Sequence, residues 1–369
     1  MRRTATIVLC ALCLVPRWTP VSRAAAMDRT AAPVGDLAQA LSMIPTTGAS
    51  VYFTDWTLLK QYKGASNLTS QSPLAARIHF LLSLERDQAA PSAYNAEYTE
   101  YQARDWSWDF ADLLWEENLL GDGPPAYVLR FRDGFDFAPV IAHFLKRGFA
   151  RSMYHGFPVY SRGQDFTQSW ALTSGFAIYN TAVLANRHLL VLSSSGSMVR
   201  AILDSIAKVA PAPSDATAIQ ATTAYLGIVA GAFVGAGAAM CSVYSPRSPT
   251  GERAPAAITH QFNQLKRVHP YVVFATGYRD VGARPLGLSV MEYGDANTAR
   301  QDLPIRRDIV AHGYSLVTRQ LYSSLLTIAN SGVEGAALVF RFHLARDRPA
   351  ILFDLVNTRD VAYAGCPTT

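Results

Sequence analysis

A chain of 369 residues that is 50% hydrophobic and only 17% charged is not disordered over most of its length. Its formal net charge of +5 includes Arg2, Arg3, Arg17 and Arg23, in a stretch without acids; once they are set aside the balance is +1, which leaves no electrostatic case for nucleic acid. The length exceeds that of one ordinary hydrophobic core and predicts at least two subdomains.

The N-terminus has the layout of an export signal. Arg2 and Arg3 precede the uncharged run Thr4 to Val15, and Ala24, Ala25 and Ala26 offer small residues for cleavage after Ala24 or Ala26. The run falls short of the roughly 20 apolar residues that span a bilayer. Residues 1–26 are therefore expected to be a signal peptide, and the mature protein secreted or extracytoplasmic, in the cell envelope. Cleavage removes Cys10 and Cys13. The remaining Cys241 and Cys366 either form one disulfide in an oxidising compartment or lie apart as buried thiols.

In the N-terminal segment, residues 27–120, a helix is predicted over Asp36 to Met43 and a strand over Ser50 to Thr54. Asp55 is placed to cap a helix starting at Trp56, because its carboxylate can accept from free backbone amides. A further helix is expected over Leu74 to Leu84, within a polar stretch that carries the sequon Asn67, Leu68, Thr69. Trp106, Trp108 and Trp115, with Tyr98 and Tyr101 upstream, form the densest aromatic group. Trp108, Leu114 and Trp115 recur at helical spacing and read as the buried stripe of one helix, yet the same rings are the best sequence candidate for a surface that recognises protein or carbohydrate.

A first α+β unit is expected over residues 121–245. Ala126 to Phe131 reads as a strand, Asp136 to Lys146 as a helix ended by Gly148, Phe149 to Tyr154 and Phe157 to Ser161 as a hairpin, Phe176 to Ala185 and His188 to Leu192 as another, and Met198 to Val209 as a helix. The uncharged run Ala216 to Pro246 carries Gly227, Gly231 and Gly235 at the spacing of close-packed membrane helices. Its Ala, Gly and Thr content favours a buried helix to about Val234 and then a strand over Ala238 to Tyr244. A loop and connecting helix fill 246–269.

Over residues 270–369 a similar order recurs. Tyr271 to Tyr278 and Pro285 to Tyr293 read as strands, Ala296 to Ala311 as a helix, Ala336 to Leu344 as a strand and Pro349 to Val356 as a helix. Gly313 and Tyr314 echo Gly148 and Phe149, and Tyr322 with Ser323 echoes Tyr160 with Ser161. The expected fold is α+β, with two similar units, each an antiparallel sheet with helices packed on one face.

No catalytic or cofactor motif stands out. There is no Gly-x-Ser-x-Gly elbow, no His-Glu-x-x-His, and no phosphate or dinucleotide loop. Asp133, Gly134 and Asp136 lack the later ligands of a calcium loop. Glu116 and Glu117, read on a helix, point to different sides and make no acid and base pair. The eight histidines stand singly, so no catalytic, cofactor or metal residue is assigned.

The stretches Val51 to Trp56, Val128 to Asp136 and Leu189 to Ile206 resemble those of exported bacterial proteins of unknown function built from duplicated strand and helix units. The resemblance implies a fold and no site residues. The expected function is a noncatalytic envelope or secreted protein that binds a partner or ligand between its units. The alternative is a hydrolase with an unfamiliar site, for which His143, His155 and His188 are the candidate bases.

Overall fold

Asp55 stands at the hinge of the first supersecondary unit. After helix α1 (Asp36–Leu41), strand β1 (Ser50–Asp55) runs into helix α2 (Trp56–Tyr62), and the Asp55 carboxylate accepts from the Leu58 amide at 2.8 Å. The cap satisfies one of the amides that a helix start leaves open. The computed structural model describes residues 36–45, 50–86, 106–120, 124–165, 180–237, 256–279, 285–345 and 348–366.

The chain continues through α3 (Leu74–Arg86), β2 (Leu113–Leu120), β3 (Ala126–Phe131), α4 (Ala138–Lys146) and the hairpin β4 (Ala150–Tyr154) and β5 (Phe157–Ser161). Next come β6 (Asn180–Leu184), β7 (Leu189–Ser193), α5 (Gly196–Ile206), α6 (Thr217–Leu226) and β8 (Gly231–Ala236). The last part holds α7 (Ala256–Leu265), β9 (Val273–Arg279), β10 (Leu286–Glu292), α8 (Ala296–His312), the short pair β11 (Tyr314–Ser315) and β12 (Gln320–Leu321), α9 (Tyr322–Leu325), β13 (Leu326–Glu334), β14 (Ala337–Leu344) and α10 (Ile351–Asn357). The class is α+β, as expected.

Among the described residues, twelve strands form one antiparallel sheet in the order β13-β14-β10-β9-β8-β1-β2-β3-β7-β6-β5-β4. At its centre β1 pairs with β8, with Val51 opposite Val234 and Thr54 opposite Gly231. Outward from this seam the two sides share one connection pattern. The order is β1-β2-β3-β7-β6 on one side and β8-β9-β10-β14-β13 on the other. A helix precedes each first strand (α1, α6), follows each third strand (α4, α8) and follows each hairpin (α5, α10).

Three expectations change here. Residues 27–120 were expected to form a helical, aromatic layer on the first unit, but they supply β1 and β2 to the middle of the sheet. The sheet is also covered on both faces rather than one. One core joins residues of α3, α4, α8 and α10, including Phe80, Phe144, Ile309 and Leu352, whereas the other joins α1, α5 and α6 through Leu37, Val199 and Ile219. Because both faces are buried, the strands lose the apolar and polar alternation of a sheet with one wet side. Finally, the glycine-spaced run contains a ten-residue helix and then β8, earlier than expected; Ala238 to Tyr244 lies outside the described residues. Gly227 ends that helix at φ 61°, a conformation open to glycine. Among the described residues no helix is long and apolar enough to cross a membrane.

Candidate functional site

The three tryptophans of the aromatic group are core. Trp106, Trp108 and Trp115 are 0%, 2% and 1% exposed, so none of them offers a surface for a partner. Trp115 lies on β2, not on a helix, and the register shift between Leu113 and Trp115 places those two side chains in opposite cores. Tyr98 and Tyr101 lie outside the described residues. Glu116 and Glu117 follow on the same strand, both fully buried, so their opposite directions come from the pleat of a strand.

Of the three histidines proposed as bases, His143 and His155 each meet a polar side chain, and the three do not meet one another. His143 on α4 contacts Ser107 Oγ through Nδ1 at 2.6 Å, and Ser107 has a left-handed backbone at φ 59°. His155 places Nε2 3.1 Å from Asp204 Oδ1, which also accepts from the Tyr154 hydroxyl. His188 is left-handed, and its Nδ1 is buried without a hydrogen-bond partner. Cys366 is 4% exposed and disulfide-bonded, while Cys241 lies outside the described residues.

The best-assembled polar group is one that no sequence motif announced. It lies on α7 and α8, which pack against each other over the second half of the sheet. Helix α8 turns Ala299, Asp302, Arg306, Ile309 and Val310 inward, and α7 turns in Ile258, Gln261 and Leu265. Beside these stripes, Asp308 and His312 stand four residues apart on α8, which places them on one face. His260 reaches them from α7. Its Nε2 lies 2.5 Å from Asp308 Oδ2, and His312 Nδ1 lies 2.8 Å from Asp308 Oδ1. One ligand atom from each of the three residues falls within 4.8 Å of the others. The side chains of His260, Asp308 and His312 are 42%, 29% and 67% exposed, so solvent reaches the group.

Partial burial pushes the Asp308 carboxyl up, but hydrogen bonds from His260 and His312 and their charges outweigh it, so it lies below the ordinary aspartate value. The joint that holds the group is rigid. Gln261, next to His260, accepts from the Tyr314 amide at 2.8 Å. Gly313, next to His312, has no room for a side chain, since a Cβ there would lie 2.4 Å from Ile309 O and 2.6 Å from Gln261 Oε1.

A third imidazole on this layer is held the same way. His269, whose side chain is 47% exposed, places Nδ1 2.7 Å from the buried Asp302. Asp302 also accepts from the His269 amide and the Tyr293 hydroxyl. Arg306 spreads its guanidinium over Tyr293 Oη, the carbonyls of Tyr363, Gly365 and His269, and Asp302. This fork ties the disulfide-bearing C-terminal segment to α8. The only local sequence signal for the whole layer was the Asp308 and His312 spacing.

No protein-family profile matches the chain, and no curated protein does. Solved structures of the protein TP0453 align with it: crystal form I at 11% identity and a TM-score of 0.41, over 87% of this chain and 97% of that one, and form III at 12% and 0.41, over 85% and 98%. Similarity at this level transfers no function.

Proposed function

We propose that this is an exported, noncatalytic binding protein of the cell envelope whose ligand site is the imidazole and carboxylate face of α7 and α8. The single observation that carries the compartment is the disulfide at Cys366, since such bonds persist in oxidising environments. The Arg2, Arg3 and small-residue layout of the first 26 residues supports it, and Cys241 is the partner we assign to Cys366. The shared connection order on the two sides of the β1 and β8 seam supports an internal duplication that begins at α1 and again at α6, earlier in the chain than the sequence echoes indicated. Three exposed imidazoles held in fixed orientations by Asp308 and Asp302 support binding at that face.

The test is fractionation of producing cells, with N-terminal sequencing and thiol counting of the recovered protein. A mature start after Ala24 or Ala26, in an extracytoplasmic fraction with no free thiol, is the expected result. Intact Met1 in the cytoplasm with reduced Cys366 overturns the reading.

One contact favours the hydrolase reading, the Ser107 and His143 pair, because a hydroxyl within hydrogen-bond reach of an imidazole is the core of an activated nucleophile. A fluorophosphonate probe decides between the two. The binding reading expects no adduct at Ser107, and an adduct lost in Ser107→Ala would reinstate the hydrolase.

A further inference from the structure

The geometry points to His260, Asp308 and His312 as the ligands of one divalent transition-metal ion, with zinc the best fit. The inference rests on the reading of the α7 and α8 face as the ligand site, and it names what that site takes.

Donor chemistry comes first. Two imidazole nitrogens and one carboxylate oxygen suit zinc and its neighbours in the first transition row, whereas calcium and magnesium take all-oxygen shells. Three protein ligands leave a tetrahedral ion one further position, for water or for a group on a partner.

Geometry comes second. His260 Nε2 and His312 Nδ1 both face the single carboxylate of Asp308, at 2.5 and 2.8 Å. The protons in those two contacts are the ones a divalent ion displaces when it binds, since ligating imidazoles must give up a proton. Bonds of about 2.0 Å to a tetrahedral ion put ligand atoms roughly 3.3 Å apart. The ligand atoms already lie within 4.8 Å of one another, and the two carboxylate contacts at 2.5 and 2.8 Å need only open to that distance, a change on the scale of side-chain rotation. The two imidazole rings stand nearly perpendicular, at 89°, with centroids 6.1 Å apart, so they can converge on an ion without stacking on each other.

Placement comes third. Asp308 and His312 lie within the last five residues of a 17-residue helix, with His312 in the final turn, where the backbone dipole presents its negative end and favours a cation. The ligands sit on a fixed frame, because His260 precedes Gln261 and His312 precedes Gly313, the two residues at which α7 and α8 are locked together. A site whose ligands are held by such a joint loses little freedom when the ion arrives. Elsewhere among the described residues no other set of three such ligands converges; His269 and His155 each meet one carboxylate.

The experiment uses the full mature chain, stripped with a chelator and titrated with Zn²⁺ by calorimetry at pH 7.5 and moderate salt. One ion per chain is expected. His260→Ala and His312→Ala should each weaken binding at least tenfold, and the double variant should lose it. Millimolar Mg²⁺ or Ca²⁺ should not compete. Co²⁺ in place of Zn²⁺ should give visible absorption bands in the wild type that vanish in the double variant. His312 is exposed and His260 half-buried, and far-UV circular dichroism checks that the variants fold. Zn²⁺ binding that is equal in wild type and double variant, or absent from a folded wild type, overturns the metal site. If this occurs in protein recovered oxidised from the envelope, the export reading stands and only the ligand falls. A reduced cytoplasmic protein that binds Zn²⁺ through these residues keeps the metal site and loses the export.

Discussion

Replacement of Glu117 should make the protein more stable and flatten its response to pH. The residue lies in β2 between Phe53 of β1 and Val128 of β3, is fully buried, and has no hydrogen-bond partner for either carboxylate oxygen. Its own strand adds Trp115 and Leu119 to the same apolar face. Burial therefore pushes its carboxyl well above the ordinary glutamate range. The folded chain keeps this proton at pH values where the unfolded chain, titrating near 4.3, has released it. Stability from Glu117 is thus fully present below that value and falls as pH rises, by up to about 1.4 kcal/mol per pH unit, until the folded carboxyl itself ionises. Glu117→Gln removes the slope. Glu117→Met removes in addition the burial of unpartnered polar atoms, which costs about 1–3 kcal/mol, and should gain about 2 kcal/mol at pH 7.5. Urea unfolding of the three proteins from pH 5 to pH 8 measures both effects, because the difference between variants cancels every other titrating group. Parallel pH profiles for wild type and Glu117→Gln, or a less stable Glu117→Met, would refute the reasoning.

Arg306→Met should cost at least about 3 kcal/mol, because it strands buried Asp302 and three carbonyls at once; a loss below about 1 kcal/mol in urea unfolding contradicts the clamp. At acid pH, where the carboxyl is protonated in both the folded and the unfolded chain, Asp55→Ala should lose about 1 kcal/mol of cap, whereas Asp55→Asn keeps an acceptor for Leu58 and should stay within a few tenths of wild type. Burial raises the Asp55 carboxyl to about 7, so its titration contributes a stability that declines from the ordinary aspartate range up to that pH and is level beyond it; Asp55→Asn should lose this dependence in the same unfolding series. Gly313→Ala should lower the thermal midpoint by several degrees, since the new methyl group meets the Ile309 carbonyl; an unchanged midpoint would show that the α7 and α8 joint is looser than its geometry.

Local chemistry carried much of the fold into the sequence. The Asp55 cap, the turn at His155 and Gly156, and the periodic helices α5 and α8 all fall where their residues predict. Two of the failures have a common cause in tertiary burial. Leu113 to Leu120 looks helical because a register shift and two buried faces erase its alternation. Strand β8, with the sequence GAFVGA, carries few of the branched side chains that mark a strand, since its place is set by close packing against β1 and β9. Strand β13 went unread because it is a polar outer strand with a shift at Ile328 and Asn330. The α7 and α8 group was illegible for a different reason. His260 is distant in the chain from Asp308, and only the packing of two helices makes them neighbours.

The seam between β1 and β8 also sets the order in which the chain can finish folding. Residues 51–54 wait for residues 231–234, so the middle of the sheet closes only after almost two thirds of the chain is available. Closure of so long a loop carries an entropy cost ahead of its reward, and such non-local pairing is slow. Until β8 arrives, β1 presents an open edge that carries Val51 and Phe53, a template for pairing with other chains. If exported as proposed, a protein so built gains from reaching its compartment before it folds, and it will be most vulnerable to aggregation when synthesis is interrupted between α5 and β8.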